Sequence, residues 1–113
     1  MEQLALELRR FAAERDWERF HSPKNLAMAL AVEAAELLEQ FQWLTEAESR
    51  APVPDRRGRI EDELADVLIY LVRLADRLEV DLPAAVASKI ERNRRRYPAE
   101  RVRGSAAKYD EYE

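Results

Sequence analysis

Residues 26–38 read LAMALAVEAAELL: eleven of the thirteen positions are apolar, and the other two are Glu33 and Glu36. Alanine, leucine, methionine and glutamate all favour helix over strand, so the stretch reads as helix. A helix that is apolar on every side is a buried helix. Two acids three residues apart share one face of it. Residues 63–75, ELADVLIYLVRLA, repeat the arrangement, with polar positions at Glu63, Asp66, Tyr70 and Arg73. At about 100° per residue these four fall in one stripe about 80° wide. The same offsets in the earlier helix select Glu33, Glu36, Gln40 and Trp43. Two apolar helices therefore carry matching polar stripes, each opened by a pair of acids.

The rest of the chain agrees with a helical fold. Ala, Leu, Glu and Arg make up more than half of the 113 residues, whereas Val, Ile and Thr together number 11 and Gly only 2, so strands and hairpin turns lack their usual material. The fold class expected is all-α. With 47% hydrophobic and 37% charged residues the chain is too apolar for a disordered segment. The longest uncharged stretch, Asn25 to Val32, is far short of the roughly 20 apolar residues of a membrane span. No basic segment followed by an apolar run opens the chain, so neither a signal peptide nor a membrane partner is expected, and the cytoplasm is the default location. The absence of cysteine removes disulfides, zinc ribbons, iron–sulfur clusters and thiol catalysis, and the single histidine, His21, removes a multi-histidine metal site within one chain. A core this small also predicts self-association.

The first helix is expected over Glu2 to Arg15, with Leu4, Leu8 and Phe11 on one stripe, followed by a linker from Asp16 to His21. Ser22 reads as an N-cap with Pro23 in the first helical position, opening a second helix to about Trp43. Residues 45–58 contain Pro52, Pro54 and Gly58 and read as a loop. A third helix follows from about Arg57 to Glu79. Asp81 caps a fourth, which Tyr97-Pro98 ends because proline disfavours a helical residue before it. The organisation expected is a four-helix bundle domain over residues 1–98 and a polar tail over 99–113 that is an extended arm or partly disordered.

Helical acids usually lie on solvated faces or join salt bridges. Two pairs embedded in the most apolar helices are different, because buried carboxylates without partners cost several kcal/mol each or take up protons. Glu33, Glu36, Glu63 and Asp66, if they converge, need cations; Arg73 could neutralise one charge. All-oxygen ligation suits Mg²⁺, or Mn²⁺ in its place, whereas a di-iron bundle would want a Glu-x-x-His on each of two helices. Magnesium held by helical carboxylates keeps waters and binds an anionic ligand such as a polyphosphate, which points to phosphoryl chemistry. Gly58 and Gly104 stand alone, so no phosphate-cradling glycine loop is present. Residues 89–97, KIERNRRRY, place Lys89 and Asn93 on one helical face. Three readings apply to that basic end: a solvated terminus favoured by the helix dipole, phosphate contacts, or a nucleic-acid patch, the last opposed by a net charge of −4. Trp17 and Trp43 flank the second helix and are either core residues or a rim on which a base stacks. His21 is either packed beside the Ser22 cap or catalytic.

Phe11 to Asn25 (FAAERDWERFHSPKN), Glu33 to Trp43 (EAAELLEQFQW), Glu61 to Ala75 (EDELADVLIYLVRLA), Val80 to Pro98 (VDLPAAVASKIERNRRRYP) and KYDEY near the end closely resemble the dCTP pyrophosphatases. These form part of the MazG-like branch of the all-α nucleoside triphosphate pyrophosphohydrolases. The resemblance implies hydrolysis of a nucleoside triphosphate between its α and β phosphates. It implies Mg²⁺ ligation by Glu33, Glu36, Glu63 and Asp66, a base pocket lined by Trp17 and Trp43, and sugar and phosphate contacts from Lys89, Asn93 and Tyr97. It also implies a homodimer or homotetramer with sites built across chains, and no stable nucleic-acid partner. The general base would be one of the four acids acting through water, with Glu36 preferred. Vertebrate members carry a pocket histidine three residues before the phenylalanine of FAAERDW, where this chain has Leu8.

Overall fold

The computed structural model of the chain describes residues 1–104, with Arg101 and Val102 described through their backbone alone. Among these residues the elements are α1 (Glu2–Glu14), a 3₁₀ turn (Glu18–Phe20), α2 (Pro23–Glu39), α3 (Glu46–Arg50), α4 (Pro54–Arg77), α5 (Leu82–Arg96) and α6 (Ala99–Val102). No strand occurs among the described residues. No helix among them is long and apolar enough to cross a membrane.

Two units are distinguished, Met1–Val80 and the chain from Asp81 onward. In the first, α4 is the central helix, with α2 and α1 packed against it. The four expected long helices are present, and the described packing of the first unit joins three of them. The second unit is built on α5, whose start is capped by Asp81 accepting from the Ala84 N–H at 3.0 Å. Its end falls before Tyr97-Pro98, as proline requires.

Both ends of the core are set by local chemistry. Ser22 Oγ accepts from the Asn25 N–H at 3.1 Å and Pro23 occupies the first turn, which starts α2 as expected. The Asn25 amide also donates to Phe20 O at 3.1 Å, tying the linker to the helix start. At the end of α1, Asp16 takes φ 54°, the Trp17 N–H donates to Ala12 O at 2.9 Å and the Asp16 N–H to Ala13 O at 3.1 Å. This is a Schellman closure with aspartate in the left-handed position that glycine usually fills. The end of α4 is the same, with Glu79 at φ 56° and the Val80 N–H on Ala75 O at 2.8 Å.

The structure departs from the sequence reading in four places. Residues 45–58 are not a plain loop: Thr45 and Glu48 form a reciprocal capping box, with Thr45 Oγ1 accepting from the Glu48 N–H at 3.2 Å and Glu48 Oε1 accepting from the Thr45 N–H at 2.9 Å. That box starts α3. Helix α4 begins at Pro54, three residues before Arg57, because proline is favoured in a first turn, and it runs through Gly58. Helix α2 ends at Glu39 instead of Trp43, and Arg56 Nη1 donates to the freed Gln40 carbonyl at 2.7 Å. Residues 99–102 form a helical turn where an extended arm was expected; residues 105–113 of that tail lie outside the described residues.

Full burial is also scarcer than apolar composition predicts. Among the described residues the buried positions are Ala12, Leu26, Ile60, Val72, Ala75 and Arg73. Helix α2 buries only Leu26 completely, while Met28, Val32 and Leu38 on it are exposed. A helix apolar all round needs neighbours on every side, and α1 and α4 do not supply them.

Candidate active site

Packing α2 against α4 brings together the acids that open their two stripes. Carboxylate oxygens of Glu33, Glu36 and Glu63 all lie within 4.8 Å of one another. Glu33 Oε2 and Glu63 Oε2 are buried with no hydrogen-bond partner among the described residues. Burial, hydrogen bonding with Glu36 and Glu63, and the charges of Glu36 and Asp66 push the Glu33 carboxyl from 4.5 up to about 7. Burial, ahead of the neighbouring acids, raises Glu63 as well. Two orphaned, partly desolvated oxygens in a cluster of like charge fit a hard divalent cation, which would satisfy both and offset the repulsion. Asp66 stands one helical step from Glu63, outside the close trio, and its charge acts on both raised acids.

Arg73 does not neutralise this cluster. It is only 2% exposed, and its guanidinium reaches Asp76 Oδ2 at 3.4 Å and His21 Nδ1 at 3.4 Å, with Nε unpartnered among the described residues. The helical stripe that holds Glu63 and Asp66 thus divides: Glu63 meets the α2 acids, and Arg73 turns to the linker.

Asp66 is also in the wall of a cavity of about 190 Å³. Leu8, Phe11 and Ala12 from α1, Trp17 and His21 from the linker, and Ile69, Tyr70 and Arg73 from α4 complete it. Trp17 is 43% exposed and stands edge-on to Phe11, with ring centroids 5.6 Å apart. Its position follows from the α1 terminus, since the left-handed turn at Asp16 delivers Trp17 back toward the helix it has just left. An apolar, aromatic hollow beside a carboxylate cluster can hold a planar ring while an anionic tail reaches toward the acids' cation.

Trp43 lies in the turn beyond α2, is 86% exposed, and does not line this cavity. Lys89 and Asn93 are exposed residues four apart on α5, and half-buried Tyr97 closes that helix; all three belong to the second unit. Of the sequence-derived site residues, the structure therefore unites Glu33, Glu36 and Glu63, with Asp66 and Trp17 sharing the adjoining cavity. The sequence reading did not assign Phe11, His21, Tyr70 or Arg73 to a pocket, whereas the resemblance put Leu8 at the position of a pocket histidine, and Leu8 does line the cavity. Leu8 and Phe11 were visible as one stripe of the first helix, and Tyr70 and Arg73 as members of the acidic stripe. Nothing in the spacing of His21 points to the cavity.

Comparison with known proteins accords with this site. The profile of the MazG-like family matches residues 28–112. Rat dCTP pyrophosphatase 1 is 57% identical over 101 residues, which cover 88% of this chain and 59% of the rat protein. The human protein of the same name is 56% identical over 103 residues, covering 89% and 61% respectively. The chain spans about three-fifths of the length of these curated relatives. Among solved structures, a pyrophosphatase from Archaeoglobus fulgidus superposes with a TM-score of 0.82 at 46% identity, over 87% of this chain and 92% of that one. An all-helical fold, paired acids meeting across two helices and a family match over most of its length agree: the chain belongs to the MazG-like family.

Proposed function

We propose that this chain is a Mg²⁺-dependent nucleoside triphosphate pyrophosphohydrolase that converts dCTP, or a modified dCTP, and water to the monophosphate and diphosphate, clearing it from the nucleotide pool. The observation that carries the reading is the meeting of Glu33, Glu36 and Glu63 beside a cavity walled by Trp17 and Asp66. The printed names of the rat and human relatives support dCTP as substrate.

Glu33, Glu36, Glu63 and Asp66 would hold the ion, since carboxylate oxygens suit hard divalent cations. Bound there, a divalent ion polarises a phosphoryl oxygen and lowers the pKa of water. Glu36 is assigned as the base that accepts the proton of the attacking water. Glu33, at about 7, holds a proton part of the time near neutrality in the metal-free protein and gives it up on loading. Trp17 offers a ring face to the base, with Trp43 as its second contact, and Lys89, Asn93 and Tyr97 meet sugar and phosphates. The catalytic domain is residues 1–98. A homodimer or homotetramer is supported by exposed Met28 and Val32 on α2 and Leu64 and Leu68 on α4, apolar surface of the kind that a second copy covers.

Diphosphate release from dCTP, 5-substituted dCTP, dUTP and dTTP, with Mg²⁺ and then with EDTA, tests the reading. Turnover of dCTP that EDTA abolishes is expected; inertness toward all four overturns it and favours a non-catalytic helical module. A broader pyrimidine range is the second reading, favoured by Leu8, a cavity wall with neither donor nor acceptor. Base discrimination then rests on the polar walls.

A further inference from the structure

The C-terminal half of α4 borders a second, larger hollow. It has a volume of about 500 Å³ and is walled by Arg9 of α1, Glu18 of the 3₁₀ turn, Arg73, Asp76 and Arg77 of α4, and Glu79 just past that helix. It shares only Arg73 with the aromatic cavity and contains none of the clustered carboxylates. Arg77 stands fourteen residues beyond Glu63 on the same helix, roughly 21 Å along it at about 1.5 Å per residue.

Formal charge is balanced there, three guanidiniums to three carboxylates, so the arrangement decides what the hollow takes. One carboxylate serves two of the guanidiniums: Asp76 accepts from Arg9 through bonds of 2.6 and 3.1 Å and from Arg73 at 3.4 Å. Arg77 uses Nε on the His21 carbonyl at 3.1 Å. Among the described residues, neither Arg77 nor Glu18 nor Glu79 forms an ion pair. A guanidinium has five N–H donors and no acceptor, so most of the donors here have no protein partner among those residues. Arg9 and Arg77 can turn theirs to water. Arg73 cannot: it is 2% exposed, and its Nε is buried without a partner among the described residues. Burial first, with the charges of Arg77 and Arg9, pulls the Arg73 pKa below its usual value although Asp76 and Glu18 oppose the shift. A buried cation short of an acceptor, with two more guanidiniums around the same hollow, is what a phosphate oxyanion satisfies, since its oxygens match the guanidinium fork.

We propose that this hollow is a second anion site, which takes inorganic phosphate or diphosphate on Arg9, Arg73 and Arg77. Glu18 and Glu79 oppose the anion by charge, so removing one of them should tighten the site, the reverse of what a cation site would do. The site requires neither the metal nor turnover.

Calorimetric titration of the full chain with inorganic phosphate and with diphosphate, in EDTA at low salt, tests it, because without a cation the carboxylate cluster repels both. One anion per chain is expected, the tighter of the two identifying the occupant. Arg77→Gln should weaken that binding about tenfold or more, the worth of a hydrogen bond to a charged group, and Arg77→Lys, which keeps the charge and loses the fork, should fall between. Arg9→Gln should weaken it as well. Glu18→Gln should tighten it roughly two- to fivefold, as expected for one exposed charge. Glu33→Gln, at the carboxylate cluster, should leave it unchanged. Circular dichroism checks that each variant is folded. A wild type that binds neither anion, binding that survives Arg77→Gln and Arg9→Gln in folded protein, or weaker binding in Glu18→Gln overturns the inference. A wild type that binds diphosphate in this way yet releases none from any triphosphate upholds the inference and overturns only the function proposed above.

Discussion

Replacing Glu33 by glutamine removes one charge from the acidic cluster while keeping size and hydrogen-bonding capacity. The folded chain holds the Glu33 proton to about pH 7, against 4.5 ordinarily. Because the folded form binds that proton more tightly, the associated stability is complete below the unfolded value and is lost as pH rises through about 7. The tenfold-per-1.4 kcal/mol relation caps the cost of an ionised Glu33 at roughly 3 kcal/mol at pH 8, and partial exposure of the residue reduces it to about 1–2 kcal/mol. Glu33→Gln should therefore raise the metal-free Tm at pH 8 by roughly 5–10 °C for a domain near 100 residues, with no gain at pH 5, where the wild-type acid is protonated too. Magnesium reverses the order. The wild type should gain stability from millimolar Mg²⁺ at pH 8, and the variant, lacking an anionic ligand, should gain less. Thermal melts in EDTA and in Mg²⁺ at both pH values decide it. A variant that melts at or below the wild-type temperature in EDTA at pH 8 would refute the claim that the cluster stores like-charge repulsion.

Glu36→Gln and Asp66→Asn should each abolish diphosphate release while leaving helicity intact by circular dichroism; full activity in either removes that residue from the metal site. Trp17→Ala should raise KM about 5- to 150-fold with kcat little changed, since a stacked ring contributes about 1–3 kcal/mol in ground and transition states alike. The same substitution at Trp43, 86% exposed beyond α2, separates a base contact from a surface residue by whether KM moves. Gly58→Ala should stabilise the chain by roughly 0.5–1 kcal/mol in denaturant unfolding, because Gly58 sits inside α4 and an added Cβ meets nothing within 4 Å.

Composition and periodicity determined the helical class, the four long helices and the pairing of the acids. These are one-dimensional properties: propensity acts residue by residue, and a 3.6-residue period places Glu33 with Glu36 and Glu63 with Asp66 whatever surrounds them. Caps written in adjacent residues, Ser22-Pro23 and Asp81, were equally legible. The Thr45–Glu48 box was legible in principle but was overridden by the prolines and Gly58 around it, which read as loop although Pro54 opens a helix. The Asp16 and Glu79 left-handed ends were hidden because neither is glycine. Tertiary structure alone decided the rest. Whether two acidic stripes meet depends on the rotation of α2 against α4, and the same sequence pattern is compatible with acids facing solvent. Arg73 shares a stripe with Glu63 and Asp66, yet its long side chain chose Asp76 and His21, contacts 3 and 52 residues away. The cavity draws its walls from α1, the linker and α4, three segments with no common sequence signal, because a hollow is a property of what packing leaves unfilled and not of any one helix.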